Sequence, residues 1–223
     1  MFNFYKDVIE YKGNLLVRGV HEGEEFREKV NFRPTLFAIT QNETNHKTLQ
    51  GQNLKPISFD SIYKCRDFKR NYTNSSAPLY GNDRYHFQYI AKNYPGDIQF
   101  DKNLIKIFTL DIEVTAEKGF PDVENPIEEI LCLTIKNQSN KNIITWGTKP
   151  FFTKRPDVTY IECQSEKQLL MEFFKFWTKN YPDIITGWNT KFFDLPYLCN
   201  RIKHLVGDKV INKLSPWGLI EQE

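Results

Sequence analysis

Leu110-Asp111-Ile112-Glu113-Val114-Thr115 constrains this chain more than any other stretch. It closes an apolar run, Leu104-Ile105-Lys106-Ile107-Phe108-Thr109, that reads as a buried strand. In a strand, Asp111 and Glu113 point to the same face because side chains alternate with a period of two. Two anions side by side are costly unless a positive charge sits between them or water covers them. Oxygen ligands of this kind suit a divalent cation. A solvated strand end would carry the same residues, so the stretch alone leaves both readings open.

The rest of the second half builds outward from that strand. Residues 130–135 form another apolar run, Asn137-Gln138-Ser139-Asn140 is a turn signal, and residues 142–146 return. The pattern predicts an antiparallel meander led by the strand with Asp111. Residues 158–161 predict a short strand. Ser165-Glu166-Lys167-Gln168 matches a capping box, and Leu169, Leu170, Phe173, Phe176 and Trp177 follow at helical spacing. Tyr181-Pro182 ends that helix, and residues 184–186 give a strand running into Gly187-Trp188-Asn189. Asp194 is a predicted helix N-cap with Pro196 in the first turn, and Leu195, Leu198, Ile202 and Leu205 are the predicted buried stripe. Asp194 reads equally as a cap or as a third carboxylate near the strand end, where ligands gather in α/β sheets.

The first hundred residues differ. Residues 2–11, 15–20 and 26–32 predict a β-meander with turns at Lys12-Gly13-Asn14 and His21-Glu22-Gly23, and residues 35–39 a further strand. Residues 40–57 read as a long polar loop. A helix is predicted from about Ser58 or Asp60, with Phe59, Ile62, Tyr63 and Phe68 inward, ending in the breaker over 71–78. Residues 84–91 are ambiguous and lean toward strand. Lys64, Arg66, Lys69 and Arg70 give the helix a basic side, either a nucleic-acid contact or a solvated face.

Bulk properties bound the class without choosing it. The 223 residues suffice for one large domain or two small ones. The net charge of +2 argues neither for nor against nucleic acid. Cys65, Cys132, Cys163 and Cys199 lack C-x-x-C spacing, which weighs against a disulfide framework or a zinc ribbon. There is no apolar leader at residues 1–7 and no long apolar run, so a cytoplasmic location without a membrane span is expected.

Asp111-Ile-Glu113-Val-Thr115, with Gly187-Trp-Asn189 and Phe193-Asp194 far downstream, resembles the first two exonuclease motifs of family B DNA polymerases. Arg33-Pro34-Thr35-Leu36-Phe37, Asp194-Leu195-Pro196-Tyr197-Leu198-Cys199-Asn200-Arg201-Ile202 and Leu214-Ser215-Pro216-Trp217-Gly218 resemble the replicative polymerases of T-even-type bacteriophages. The resemblance implies an α/β (α+β) chain: a β-rich α+β N-terminal domain over residues 1–103, then a partial ribonuclease-H-like 3′–5′ exonuclease domain with a mixed sheet over 104–223. It makes Asp111, Glu113 and Asp194 catalytic and metal-binding carboxylates. Thr115, Asn189 and Phe193 would place the 3′ end of a DNA strand. The implied cofactor is Mg²⁺ or Mn²⁺ in a two-metal site. The implied partners are single-stranded 3′ ends, primer–template DNA, the remaining polymerase domains or a second polypeptide, and a sliding clamp and single-strand-binding protein through the parent enzyme. A bacterial host cytoplasm follows if the source is a phage.

The family's third motif, Tyr-x-x-x-Asp, has no match after Asp194, and the palm motifs are absent. The expectation is an N-terminal piece of a polymerase, truncated or one part of a split enzyme, with weak or no nuclease activity alone. Two alternatives stand beside it. One is a free-standing exonuclease using Asp208 or Glu221 as the fourth ligand. The other is a non-catalytic nucleic-acid-binding module.

Overall fold

The computed structural model describes residues 2–72, 77–117 and 119–220, which form two compact units, Met1–Lys102 and Asn103–Glu223. Part of the expected breaker (73–76) and Glu221 lie outside the described residues.

In the first unit, β1 (Phe4–Tyr11), β2 (Asn14–His21) and β3 (Glu24–Val30) form the expected antiparallel meander. Both turns are two-residue, Lys12-Gly13 and Glu22-Gly23, with positive φ at all four positions. That geometry matches the right-handed twist of hairpin strands and explains a glycine at the second place. A second sheet sets β4 (Thr35–Ile39) between β5 (Leu54–Ser58) and the short β6 (Leu79–Tyr80).

Three expectations fail in this unit. The loop read over 40–57 carries β5, whose Pro56 is tolerated because β5 is an edge strand. In α1 (Ile62–Tyr72), Ile62 and Cys65 are buried, whereas Tyr63 is 71% exposed. Residues 85–93 are helix α2 (Tyr85–Asn93), not strand. Tyr85 and Tyr89, one turn apart, are buried beside Val8, Leu15 and Ile62, and Phe87 faces out.

The second unit is one mixed five-stranded sheet in the order β10-β9-β8-β7-β11. Its centre is the predicted meander of β7 (Ile107–Val114), β8 (Ile130–Asn137) and β9 (Ile143–Gly147). Parallel strands flank it, β10 (Val158–Glu162) on β9 and β11 (Ile184–Thr186) on β7. One face is apolar: Phe108, Leu110, Ile112, Leu133, Ile135 and Trp146 pack with Phe173 and Trp177 of α3 (Glu166–Trp177) and with Tyr197, Leu198 and Ile202 of α4 (Asp194–Val206). The short α5 (Asp208–Ile211) follows.

The predicted cap of α3 is present, Ser165 accepting the Gln168 N–H at 3.3 Å, and Gln168 reaches back to the Gln164 N–H at 2.7 Å. The predicted stripe of α4 is rotated. Tyr197, Leu198, Arg201 and Ile202 are buried, Leu195 is half-buried, and Leu205 is exposed. Among the described residues no helix is long and apolar enough to cross a membrane.

Candidate carboxylate site

The open face of the sheet carries the paired carboxylates. Asp111 and Glu113 are both exposed and lie opposite Thr134 and Cys132 of β8. Burial pushes the Cys132 thiol up, and the charges of Glu113 and Asp111 push it further. Next to Glu113 the register of β7 on β8 shifts, because Glu113 pairs with Cys132 while Val114 pairs with Ile130. Leu131 is therefore the extra residue of a bulge. Bulges re-aim side chains and recur beside functional sites.

The edge of β7 explains how Asp194 joins the pair. β11 pairs with β7 only at Ile107, Phe108 and Thr109, then ends. Beyond Thr109 the strand's backbone groups need other partners. Two side chains from the following segment supply them. Thr190 Oγ1 donates to the Leu110 carbonyl at 3.4 Å, and Asp194 Oδ1 accepts the Ile112 N–H at 3.0 Å. Gly187 permits this approach, since a Cβ there would lie 2.6 Å from the Leu110 carbonyl oxygen.

Asp194 is not the expected N-cap. It is the first residue of α4, after the N-cap Phe193, which provides no side-chain cap. The N–H groups of Phe192 and Phe193 go to the Asn189 carbonyl, both at 2.9 Å, and that of Leu195 to the Thr190 carbonyl at 3.0 Å. The carboxylate takes the Ile112 N–H and interacts with its own backbone N–H. Asp194 is 3% exposed. Burial raises its pKa above the usual carboxylate value, the Ile112 N–H opposes that shift, and the Asp111 charge adds to it.

Of the three residues expected at a DNA 3′ end, Thr115 follows β7, and Asn189 and Phe193 lie in the segment that carries Thr190 and Asp194. Thr115 donates from Oγ1 to Glu128 Oε2 at 2.6 Å, and its N–H goes to the Glu129 carbonyl at 2.9 Å. Asn189 adopts a left-handed φ of 57° and is exposed. Asparagine tolerates that region better than most residues. Phe193 is half-buried, its ring 5.1 Å from Phe120 and 5.5 Å from Tyr197. Trp188 is 93% exposed.

Sequence reasoning missed Phe120, Glu128 and the buried pair Glu166–Arg201. Arg201 Nε and Nη2 meet the two Glu166 oxygens at 2.8 and 2.6 Å. Only the residue types offered a signal, and an Arg and a Glu far apart in sequence signal nothing specific.

Oxygen donors in this number suit Mg²⁺ or Mn²⁺, and the charge that Asp111 adds to buried Asp194 is one a divalent cation would relieve. The donor chemistry therefore fits a metal. Its convergence is incomplete: among the described residues no three His, Cys, Asp or Glu side chains form a ready metal cage. Two carboxylates face outward and the third is engaged with the backbone.

The mixed five-stranded sheet, with two carboxylates on β7 and a third at the start of the helix after the flanking parallel strand, is consistent with an exonuclease domain of the ribonuclease-H-like class. The comparison with known families is specific. The model for "DNA polymerase family B, exonuclease domain" matches residues 54–223, and the chain belongs to that family. It is 27% identical to the DNA-directed DNA polymerase of Enterobacteria phage T4, over 100% of this chain and 28% of the relative. For the polymerase of Escherichia phage RB69 the identity is 26%, over 97% of this chain and 27% of the relative. The DNA polymerase delta catalytic subunit of Candida albicans is 35% identical over 45% of this chain and 10% of its own length. The chain thus spans little more than a quarter of its phage relatives.

Proposed function

We propose that this chain supplies part of the 3′–5′ proofreading exonuclease site of a replicative DNA polymerase, hydrolysing the 3′-terminal phosphodiester of DNA. The observation that carries this reading is the hydrogen bond between Asp194 and Ile112, 82 residues apart in sequence. It joins the second motif block to the backbone between Asp111 and Glu113.

Asp111 and Glu113 offer outward carboxylate oxygens to Mg²⁺ or Mn²⁺, and Asp194 stands at the strand edge beside them. When bound, such ions supply an activated water and a counter-charge for the departing 3′ oxygen. Thr115, Asn189 and Phe193 border the same strand end and would orient the terminal nucleotide. The partners are a single-stranded 3′ end, primer–template DNA and the remaining polymerase domains or a second polypeptide. A sliding clamp and single-strand-binding protein would act through the parent enzyme, in the cytoplasm, which is that of a bacterial host if the chain is phage-encoded.

The alternative of a nucleic-acid-binding module draws no support from α1. Lys64, Arg66, Lys69 and Arg70 each face a carboxylate, of Asp60, Glu10, Asp83 and Asp67 respectively.

The test is made in the intact polymerase. Asp111→Ala with Glu113→Ala should abolish trimming of a 3′-labelled single strand and leave primer extension unchanged. Loss of both activities in a folded enzyme would overturn the assignment. This chain alone should trim weakly or not at all in Mn²⁺; robust trimming that survives Asp111→Ala would also overturn it.

A further inference from the structure

A buried ion pair is a poor source of stability, because desolvating two charges offsets most of their attraction. Glu166 and Arg201 have side chains only 6% exposed, so the pair needs another explanation. Its remaining hydrogen bonds provide one. Arg201 Nη1 donates to the carbonyls of Pro126 and Ile127, both at 2.9 Å. Glu166 Oε1 also accepts the Ile130 N–H at 2.8 Å. Between those anchors, Tyr197 Oη donates to the Glu128 carbonyl at 2.7 Å. The backbone from 126 to 130 is therefore held at both ends and in the middle. Two of its holders, Tyr197 and Arg201, lie one turn apart on one face of α4.

What this segment holds in turn is the end of β7. Thr115 gives its N–H to the Glu129 carbonyl and its hydroxyl to Glu128, and its Oγ1 accepts the Glu129 N–H at 3.1 Å. Ile130, gripped by Glu166, pairs with Val114 on one side of the bulge at Leu131, and Cys132 on the other side pairs with Glu113. α4 is thus tied to β7 twice: directly by Asp194 at Ile112, and through the 126–130 segment at Thr115. The core packing of Tyr197, Leu198 and Ile202 seats α4 on the sheet, and the two polar anchors fix its position along the end of β7.

We propose that Glu166, Arg201 and Tyr197 form a positioning clamp for the carboxylate site, fixing the bulge and the Thr115 end of β7 so that Glu113 and Asp111 keep their aim relative to Asp194. The clamp touches neither substrate nor metal. Its link to chemistry rests on the exonuclease reading above, whereas its mechanical action does not.

Two readouts separate the clamp from a general contribution to stability. The first is amide hydrogen exchange in metal-free protein. In Glu166→Leu with Arg201→Met, the Thr115 amide should exchange at least tenfold faster, while amides of the β8–β9 ladder keep their protection. Tyr197→Phe, which keeps the packed ring, is the mild variant should the double one not fold. It should raise Thr115 exchange about fivefold to tenfold, as expected for one lost hydrogen bond. A uniform change at all amides, or none at Thr115, overturns the clamp.

The second readout is Mn²⁺ affinity, which should fall by up to about 10-fold in the clamp variants, the lower end of the loss seen when a direct partner of a metal ligand is removed, because the clamp acts on the ligands only through the backbone. Wild-type affinity with a loosened Thr115 would overturn the link to the site. If Asp111→Ala fails to weaken Mn²⁺ binding, the metal reading itself fails, and the exchange data still decide the clamp.

Discussion

Asp194 offers the most informative single perturbation, because its carboxylate does two separable things. One oxygen accepts the buried Ile112 N–H, and the negative charge stands buried beside Asp111. Asp194→Asn keeps an acceptor and removes the charge; Asp194→Ala removes both. The two variants are equally uncharged, so their difference reads the hydrogen bond together with the packing of the buried amide that Ala lacks. Leaving a buried N–H unsatisfied costs about 1–3 kcal/mol. For a chain of this size that is roughly 2–4 °C in Tm per kcal/mol, with Ala below Asn.

The charge is read against wild type. A carboxyl whose pKa is raised on folding stabilises the native state fully below its unfolded value, near 3.8, and that contribution is lost as pH rises through the raised native value. In metal-free buffer at pH 7 the Asn variant should therefore match or exceed wild type in urea, with the advantage shrinking as pH falls toward 4. Added Mn²⁺ should stabilise wild type more than the Asn variant, because a ligand raises stability in proportion to how tightly it binds the native state. Equal stability of Asn and Ala would show that the Ile112 hydrogen bond carries nothing. An Asn variant clearly weaker than wild type at pH 7 would show that the charge is not penalised.

Other perturbations probe the frame around the site. Asp111→Ala and Glu113→Ala, both at exposed positions, should each change urea stability by less than about 0.5 kcal/mol; a larger loss would give them a structural role. Gly187→Ala should cost about 1–3 kcal/mol, since its Cβ would press on the Leu110 carbonyl and on Thr190 Oγ1 at 2.0 Å. Unchanged thermal melting would show that the loop has room to shift. Phe173→Ala, in the packing between α3 and the sheet, should cost about 3–5 kcal/mol by urea titration, and a loss under 1 kcal/mol would contradict the packing described.

The second unit was largely legible because its strands alternate or run apolar and its turns carry Asn and Gly. The first unit was less so. Tyr85, Phe87 and Tyr89 alternate like a strand, yet the helix buries the first and third and exposes the second. β5 escaped notice because an edge strand with Lys55 and Pro56 looks like loop. At the site, the residue types of Asp111, Glu113 and Asp194 were readable, but what Asp194 does was not. Its role depends on where β11 stops, which frees the β7 edge. The Glu166–Arg201 clamp is less legible still, since its contacts are to backbone atoms of a loop and leave no pattern in side-chain spacing.

Asp111, Glu113 and Asp194 are proposed above to act as one metal-binding site. Mn²⁺ titration of this chain at pH 7, followed by the loss of the free-ion paramagnetic signal, tests that proposal directly. Asp111→Ala, Glu113→Ala and Asp194→Asn should each weaken binding in a chain that remains folded. Mn²⁺ binding of equal strength in wild type and all three variants would contradict the account.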